Sequence, residues 1–515
     1  MQQAHSDWRQ SLQSFKHPRV VSMLFFGFSA GVPLLLIFSS LSLWLREAGV
    51  ERSTVTYFSW AALAYSFKFL WAPLIDRLPL PVLSRKLGRR RAWLLVSQLS
   101  VMLAIAMIAL VNPAEENALS VMAFAVVLLG FSSATQDIVI DAYRIESVGV
   151  DLQALMSSTY IAGYRIGMLT SGAGALVLAS YFGSTADAYS YEAWRFTYLA
   201  MSMVMLVGLL TTLLVSEPEN SSINLQQYTS GQYLRFLCLF VLSVALFVFL
   251  YVVGSQTAGA LKAELSASLD NATLANFLIE SLRLLAGVLA VSLFIRLASF
   301  TPLYEKQLIH DSYVEPVQEF FQRYGLRLAM LLLVFVGFYR ISDIVLGVIS
   351  NVFFQDIGFS KTEIASVVKT FGLFMTIAGG FLGGVLSVRY GVIRMLYVGA
   401  ILTVLTNLLF MVLAKAGHNI ELLYLVISAD NLTAGLASAA FIAFLSSLTN
   451  VSFTAVQYAV FSSLMTLLPK VIGGYSGSMV DNLGYSSFFL IASCMGLPVL
   501  LLIYWIQRHA EFKDV

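Results

Sequence analysis

The sequence predicts an all-α polytopic membrane protein, in which two pseudo-symmetric six-helix bundles and two inserted helices make fourteen transmembrane helices. Three observations predict this class. Of the 515 residues 58% are hydrophobic and 12% are charged, whereas a soluble domain carries about 25% charged residues. Apolar runs of about 18 residues or more recur along the chain, long enough to cross a hydrocarbon core about 30 Å thick. The third observation is that turns and glycines of the first half recur in the second.

The apolar runs set the spans, which we number 1 to 14 in chain order. Lys and Arg concentrate in the loops on one side, above all at 85–91, and the positive-inside rule makes that side cytoplasmic. Both termini are therefore expected in the cytoplasm, in agreement with an even number of spans. The basic cluster also fits an anionic-lipid or nucleic-acid patch, but a topology determinant is the simpler interpretation. The spans are expected at 20–45, 55–75, 93–111, 118–142, 154–180, 194–215, 232–254, 274–298, 327–350, 362–387, 393–414, 420–447, 453–477 and 485–507.

An internal repeat indicates how the spans are grouped. Glu47-Ala48-Gly49 and Asp356-Ile357-Gly358 each form an acidic-X-Gly turn that leads from one span to a Ser or Thr N-cap of the next. A basic loop follows at Gly88–Arg91 and again at Arg389–Arg394, and Gln153–Gly174 is echoed by Gln457–Gly477. We therefore expect an N-terminal bundle at 1–231, two inserted spans with a cytoplasmic loop at 232–326, and a C-terminal bundle at 327–515. Parallel repeats of this kind place a substrate site between the halves near the midplane.

The basic loops resemble the signature of the major facilitator superfamily, although Ala72-Pro73 replaces an expected Gly and the second copy lacks the Asp. Longer stretches are similar to the AmpG muropeptide permeases of Gram-negative bacteria. These stretches are Phe28–Leu34, Phe67–Arg77, Gly88–Leu95, Ser133–Arg144, Tyr339–Asp343, Asp430–Thr433 and Phe453–Ala459.

This resemblance implies a major-facilitator fold and a proton-driven permease of the inner membrane. Its cargo would be N-acetylglucosaminyl-1,6-anhydro-N-acetylmuramyl peptides, imported from periplasm to cytoplasm for peptidoglycan recycling, a process linked to beta-lactamase induction. The expected partners are this small anionic glycopeptide, protons and the lipid bilayer. We expect a monomer, with no cofactor, no metal and no nucleic acid. A carrier of another anionic metabolite, such as an acyl-coenzyme A, stays open because the family includes distant acetyl-coenzyme A carriers.

Span 4 carries the strongest candidate for proton coupling. An Asp at the centre of a membrane helix costs about 2.5 to 3.5 kcal/mol on insertion scales. Asp137 and Asp141 lie four residues apart and Arg144 follows three later, so the three share one helix face. Such a stripe must turn toward other helices or a water-filled path. We assign Asp137 to proton coupling, and Asp141 with Arg144 to a gate at the cytoplasmic end, for which a static latch is the alternative.

Intramembrane polar groups in both halves suit an anionic, sugar-bearing cargo, because lone cations in hydrocarbon need water, a carboxylate or a ligand. The aromatic residues Trp60, Tyr65, Tyr164 and Tyr458 suit sugar faces, although packing explains each of them as well. Arg340 and Asp343 also fit a mutually neutralising pair, and for Glu280 and Arg283 that interpretation is favoured. The cations include Lys470, and the amides include Asn407. The substrate-binding candidates are Lys68, Gln136, Arg165, Arg340, Asp343, Lys369, Asp430, Asn431, Gln457 and Tyr458.

Two further sets complete the predictions. Asp76, Arg77 and Arg389 join Asp141 and Arg144 as gate residues, because they lie in the signature loops. Gly31 and Pro33 are expected to permit a kink or close helix approach in span 1, and the resemblance adds Ala134 as a position that requires a small residue. The sequence offers no nucleophile–base set, metal cluster or Walker motif. We therefore expect neither an enzyme nor an ATP-driven pump, and a drug exporter would require an anionic cavity.

Overall fold

The computed structural model describes residues 13–51, 54–55, 58, 63–115, 118–184, 188–218, 228–269, 272–301, 304–360, 363–473 and 475–509. Throughout these ranges the secondary structure is helical, without a strand. Thirteen of the described helices are long and apolar enough to cross a membrane. The prediction of an all-α polytopic membrane protein is confirmed.

The first half contains spans 1 to 6. Span 2 is described only in part, as Leu63–Phe67, a 3-10 turn at Lys68–Leu70, and Ala72–Arg77. The described part of span 2 is therefore two short helices separated by a turn at Lys68–Trp71, and not one continuous helix. A short helix, Leu83–Leu87, lies in the loop that follows. The other five spans are Pro18–Glu47, Arg89–Ala109, Ala118–Ser147, Leu152–Tyr181 and Tyr191–Leu214.

The middle of the chain holds spans 7 and 8 at Ser230–Val253 and Ala272–Ala298. Between them lies a helix that the hydropathy pattern does not predict, Ser255–Leu269, which is too polar to register as an apolar run. A further helix starts at Lys306, widens into a π turn at His310–Val314 and continues as Glu315–Phe338. It bends at Gly325, which adopts φ 69°.

The second half contains spans 9 to 14. Span 9 is interrupted by a turn at Tyr339 and Arg340 and resumes as Ile341–Asp356. Non-helical backbone at membrane depth is tolerated where it is buried in protein or lines a water-filled cavity. The remaining spans are Ile364–Tyr390, Val392–Ala416, Ile420–Leu448, Val451–Lys470 and Met479–Gln507.

Glycines let span 1 and span 5 approach at backbone distance. A Cβ built on Gly31 would lie 2.1 Å from the carbonyl oxygen of Tyr164, and one on Gly167 would lie 2.2 Å from that of Phe28. Spans 10 and 12 repeat the arrangement in the second half, where a Cβ on Gly379 would lie 2.0 Å from the carbonyl oxygen of Leu432. Small residues are typical of close helix contacts in membranes. The two halves therefore use the same packing device.

By compactness the chain divides into two units. One comprises Met1–Ile75, Pro79–Ile223 and Phe320–Val515, and so contains both six-helix bundles. The other comprises Asp76–Leu78 and Asn224–Glu319, which are the last two residues of span 2 with the residue that follows them, and the inserted segment. The bundle limits at 231 and 327 expected from the sequence remain a proposal.

One end of the first unit is rich in cations, and we call it the basic face. The Arg19 guanidinium donates to the carbonyl of Ser147 there. Arg90 Nε donates to Glu146 Oε2 at 3.0 Å, and Arg323 Nη2 donates to the carbonyl of Leu448 at 2.8 Å. Arg144 of span 4 also lies 2.6 Å from Ser446 Oγ of span 12, so the ends of spans 1, 3, 4 and 12 lie together on this face.

Candidate functional site

The predicted stripe of span 4 is buried and meets a lysine of span 2. Asp137 and Asp141 are each 8% exposed, and Arg144 is 0% exposed. Lys68 Nζ lies 3.6 Å from Asp141 Oδ2, while Arg144 Nη2 lies 3.3 Å from Asp141 Oδ1. The 3-10 turn in span 2 presents Lys68 at this point. Asp141 is therefore shared by two cations, which offsets the cost of burying the three charges.

Asp137 is the least satisfied member of this cluster. Its Oδ1 atom is buried and accepts no hydrogen bond from the residues that the structure describes. Lys68 and Asp141 are the charged groups that act on it, and the hydroxyl groups of Tyr160 and Tyr164 lie within electrostatic range. A buried carboxylate without a donor is costly unless it takes up a proton or meets a ligand. The geometry thus suits reversible proton binding at Asp137.

Arg144 reaches across from the first half to the second. Its Nη1 atom lies 2.6 Å from Ser446 Oγ in span 12, and 3.3 Å from Ser157 Oγ in span 5. Its guanidinium carbon lies 5.1 Å from the ring centre of Tyr458 in span 13. Gln153 completes the contacts by accepting from Nη1 at 3.3 Å. One side chain of span 4 therefore ties three other spans together near the basic face.

Spans 5 and 10 also meet across the two halves. A Cβ on Gly384 would lie 2.6 Å from Ser158 Oγ and 3.2 Å from the carbonyl oxygen of Ala154. One turn away, a Cβ on Gly380 would lie 3.9 Å from a methyl carbon of Ile161. Together with the Arg144 contacts, this close approach brings the two halves into direct contact.

A second ion cluster lies in the second half, at the break in span 9. The Arg340 guanidinium pairs with Asp343 and donates to Ser438 in span 12. Asp430 of span 12 lies within electrostatic range of both members of the pair, and so does Arg165 of span 5. The structure thus brings four predicted substrate-binding residues together, although the Arg340–Asp343 pair also neutralises itself.

Three intramembrane cations have no ion-pair partner in the described part of the chain, namely Arg165, Lys369 and Lys470. Lys369 is exposed and lies in a π-helical stretch of span 10, Ile364–Phe371. Lys470 Nζ lies 3.4 Å from Ser66 Oγ of span 2, so it also bridges the halves. Unpaired cations in a membrane helix mark a water-filled path or an anionic ligand.

Three predicted amides contact neighbouring segments of the chain. Gln136 is fully buried and its Nε2 donates to Ser29 Oγ at 3.0 Å, inside the first bundle. Gln457 Oε1 accepts from the backbone N–H of Asn450 at 2.8 Å, beside the basic face. Asn431 Oδ1 accepts from Thr376 Oγ1 at 2.9 Å between spans 10 and 12. These contacts hold helices together, so they favour packing over substrate contact for all three.

The remaining predicted residues take the following places. Asn407 Nδ2 donates to Ser342 Oγ at 2.5 Å, and Ala134 is fully buried. Pro33 lies within span 1, three residues before a π turn at Leu36–Ser40, which fits the predicted kink. Arg389 stacks on Tyr390, with its guanidinium carbon 5.4 Å from the ring centre. Trp60 lies outside the described residues.

Of the loop gate residues, Asp76 is buried. Arg77 pairs with Glu315 of the inserted segment, with Nη2 3.3 Å from Oε2. The assignment of Arg77 to a gate stays a prediction, and the sequence named no partner for it.

The sequence pattern missed two acidic residues at the basic face. Glu146 is 3% exposed and pairs with Arg90, and its Oε1 lies 3.6 Å from Arg89 Nη2. Glu217 accepts from the backbone N–H groups of Arg90 and Arg91 at 2.8 and 3.0 Å and so caps span 3. The sequence did carry a signal for this cap. Span 3 begins with a Gly followed by three arginines, so its first turn has no acidic residue of its own, and an acidic cap from elsewhere in the chain could have been expected.

Comparison with known proteins identifies the family. The family model described as Major Facilitator Superfamily matches residues 20–344 and 331–514. "Putative transporter AmpG 4" of Rickettsia conorii is 28% identical over 499 residues, covering 96% of this chain and 98% of the relative. The "Anhydromuropeptide permease" of Escherichia coli is 27% identical over 507 residues, covering 98% and 83%. An uncharacterized protein of Haemophilus influenzae is 30% identical over 490 residues, covering 94% and 93%.

Solved structures agree on the fold. The major-facilitator proton:xylose symporter XylE, bound to 6-bromo-6-deoxy-D-glucose, matches with a TM-score of 0.58 at 11% identity, covering 96% of each chain. The resemblance to AmpG permeases drawn from the sequence motifs is thus confirmed by relatives of that name over nearly the full length. The chain belongs to the Major Facilitator Superfamily of membrane transporters.

Proposed function

We propose that this transporter imports anhydro-muropeptides from periplasm to cytoplasm by alternating access, driven by protons. The observation that carries the proposal is the buried cluster of Asp137, Lys68, Asp141 and Arg144. Asp137 Oδ1 accepts no hydrogen bond from the residues that the structure describes, and Lys68 and Asp141 act on it. Asp141 pairs with Arg144, which also contacts Ser446 of the opposite half. Movement of the halves therefore changes the charge around Asp137, which is what coupling of a proton to transport requires.

The cluster suggests a sequence of events. With the basic face closed, Arg144 is held by Ser446 and Tyr458 as well as by Asp141. When the face opens, Arg144 loses its partners in the second half and falls back on Asp141. Lys68 is then released from Asp141 and compensates the charge of Asp137, whose carboxylic acid gives its proton to water on the cytoplasmic side. Closing reverses the exchange, and Asp137 takes up a proton from the other side.

The choice of substrate rests on the charges that line the halves. An anhydro-muropeptide carries peptide carboxylates and two acetylated sugars. Arg165, Lys369 and Lys470 lack carboxylate partners in the described residues and suit the former. Tyrosines near Asp137 suit the latter, since sugar faces pack on aromatic rings. The name of the Escherichia coli relative, an anhydromuropeptide permease, supports this cargo. An acyl-coenzyme A, whose phosphates fit the same cations, is the second candidate.

The setting follows from the same reasoning. We place the protein as a monomer in the inner membrane of a Gram-negative cell, with the basic face and both termini in the cytoplasm. Bundles at 1–231 and 327–515 would rock about the site between them, with 232–326 as the insertion. Lys and Arg enrichment at the basic face supports this orientation.

The test is uptake into proteoliposomes that contain the purified full chain. Radiolabelled anhydro-muropeptide is added with an imposed pH gradient, acid outside, and labelled acetyl-coenzyme A is run in parallel. We expect the muropeptide to accumulate and an uncoupler to abolish the accumulation. Transport of acetyl-coenzyme A without muropeptide uptake would establish the second candidate and refute the first.

A further inference from the structure

Span 2 contacts span 4 on both sides of Asp137. Ser133 precedes Asp137 by one helical turn and Asp141 follows it by one turn, so the three side chains share a face. The Tyr65 hydroxyl of span 2 lies 2.6 Å from Ser133 Oγ, and Lys68 Nζ lies 3.6 Å from Asp141 Oδ2. Asp141 is on the side of the basic face, because span 4 ends at that face. The Asp137 carboxyl therefore lies between a hydroxyl pair and an ion pair.

The two contacts differ in how they treat a proton. A hydroxyl group both donates and accepts hydrogen bonds, so a bonded pair can take up a proton at one end and release another at the other end. A lysine ammonium has three donors and no acceptor, and its positive charge repels an approaching proton. While Lys68 is paired with Asp141, a proton therefore reaches Asp137 more easily from the side of Tyr65 and Ser133.

The two hydroxyl groups also differ in burial. Ser133 is 0% exposed, whereas Tyr65 is partly exposed and its hydroxyl lies within electrostatic range of Asp137. A proton from outside the bundle needs a neighbouring polar group to reach Ser133, and Tyr65 is its side-chain hydrogen-bond partner. The rise of the helix from Ser133 to Asp137 is roughly 6 Å, a gap that one water molecule bridges between a hydroxyl and a carboxylate.

We propose that Tyr65 and Ser133 form a proton relay that supplies Asp137 from the side opposite the basic face. Tyr65 takes a proton from water and passes its own hydroxyl proton to Ser133. Ser133 passes its own to a water molecule beside Asp137, and that water protonates Oδ1. Each hydroxyl group ends with the proton it needs, so only Asp137 changes its charge. The inference rests on the proposed proton coupling at Asp137 and not on the identity of the cargo.

The experiment follows the protonation of Asp137 by infrared spectroscopy on the purified full chain in lipid nanodiscs. A protonated carboxyl group has a C=O band of its own, and the Asp137 band is the one that Asp137→Asn removes. The pH is lowered rapidly and the rise of this band is timed. Tyr65→Phe and Ser133→Ala cut the relay, whereas Ser133→Thr keeps the hydroxyl group.

We expect Tyr65→Phe and Ser133→Ala each to slow the rise of the band about 100-fold, the lower limit of what a positioned proton donor contributes. The double variant should be no slower than either single variant, because both changes cut the same path. Ser133→Thr should keep a rate close to that of the wild type, which a merely structural role of the contact does not predict. The final height of the band should change little, since the relay sets the rate and not the equilibrium.

Two variants serve as matched controls. Tyr191→Phe removes a hydroxyl that donates to the carbonyl of Ala109 at 3.2 Å, and Ser97→Ala removes a buried one that donates to the carbonyl of Leu94 in its own helix. Both should keep the wild-type rate.

Wild-type rates in both Tyr65→Phe and Ser133→Ala would overturn the relay. So would a Ser133→Thr variant as slow as Ser133→Ala. If Tyr65→Phe does not purify as a monodisperse protein, the comparison of the two Ser133 variants decides alone. If no carboxyl band depends on Asp137 at any pH, the proposed proton site fails and the relay fails with it. Slowed protonation in the relay variants of a protein that does not carry muropeptide would refute the cargo and leave the relay standing.

Discussion

The close contact of Gly384 in span 10 with span 5 predicts how strongly an alanine at this position shifts the balance between closed and open molecules. Alanine at this position adds one methyl carbon 2.6 Å from Ser158 Oγ, 3.0 Å from Ser158 Cβ and 3.2 Å from the carbonyl oxygen of Ala154. Relaxed contacts of carbon lie at about 3.5–4.0 Å. Spans 5 and 10 must therefore separate by several tenths of an ångström, and overpacking of this kind costs about 1–3 kcal/mol.

The cost arises only in the state in which the two spans touch. Because about 1.4 kcal/mol changes a ratio tenfold, Gly384→Ala should reduce the ratio of closed to open molecules by about 5- to 140-fold. The assay measures the distance between spin labels at Lys86 and Arg394, two exposed positions, by electron–electron resonance in lipid nanodiscs, after the exposed Cys238 and Cys494 are changed to Ser. The longer distance should become dominant. Uptake should slow as well, because the carrier then rarely closes the basic face.

Two further variants separate this effect from a general effect of alanine in a helix. Gly347→Ala adds a methyl group where nothing lies within 4 Å, and it should leave the distances unchanged. Ser158→Gly in the Gly384→Ala background removes the two nearest atoms and should restore most of the closed state. A wild-type distance distribution in Gly384→Ala, or no recovery with Ser158→Gly, would refute this role of the contact between spans 5 and 10.

Three other variants are predicted to act through single contacts. Gly31→Ala would put a carbon 2.1 Å from a backbone oxygen, so its melting temperature should fall by several degrees, whereas Gly259→Ala, with open space around it, should match wild type. Glu146→Gln removes a buried carboxylate that pairs with Arg90 and lies 3.6 Å from Arg89, and it should cost about 3–5 kcal/mol of stability. Its exposed control, Glu192→Gln, should cost less than about 1 kcal/mol, and equal thermal shifts would contradict this. Ser446→Ala removes the 2.6 Å acceptor of the span 4 guanidinium and should favour the open state by about 1.5–3 kcal/mol, seen as a longer distance between the two labels.

Hydropathy predicted the helical class and most spans within a few residues, because burial in lipid imposes length and apolar content on each of them. It missed Ser255–Leu269, a helix whose polar composition resembles a loop. It also gave span 2 as one regular run, whereas the described part breaks at Lys68–Leu70. Local breaks depend on tertiary contacts, and an apolar pattern does not record them.

The site was predictable where helix geometry alone decides. Asp137, Asp141 and Arg144 were expected on one face because of their spacing, and the structure puts all three in one buried cluster. Gln136 differs from Asp137 by one position, and a single step rotates a side chain by about 100°. That step turns Gln136 to Ser29 inside the first bundle. The sequence cannot name a partner more than a hundred residues away, so it could not decide between packing and substrate contact.

The roles of the acidic residues at the basic face could not be predicted from the sequence. Glu146 and Glu217 occur near the ends of spans, where charges usually lie in the interface and need no explanation. Only the fold reveals that Glu146 is buried between arginines and that Glu217 caps span 3. The sequence likewise does not reveal that Arg77 pairs with Glu315 of the inserted segment, because the two residues are 238 positions apart.

The most direct test of the account compares two modes of transport in Asp137→Asn proteoliposomes. Asparagine keeps the size of the side chain but cannot release a proton, so substrate exchange should survive while coupling is lost. We predict that labelled anhydro-muropeptide still exchanges with unlabelled substrate across the membrane, and that an imposed pH gradient no longer drives its accumulation. Accumulation equal to that of the wild-type protein would contradict the assignment of the coupled proton to Asp137.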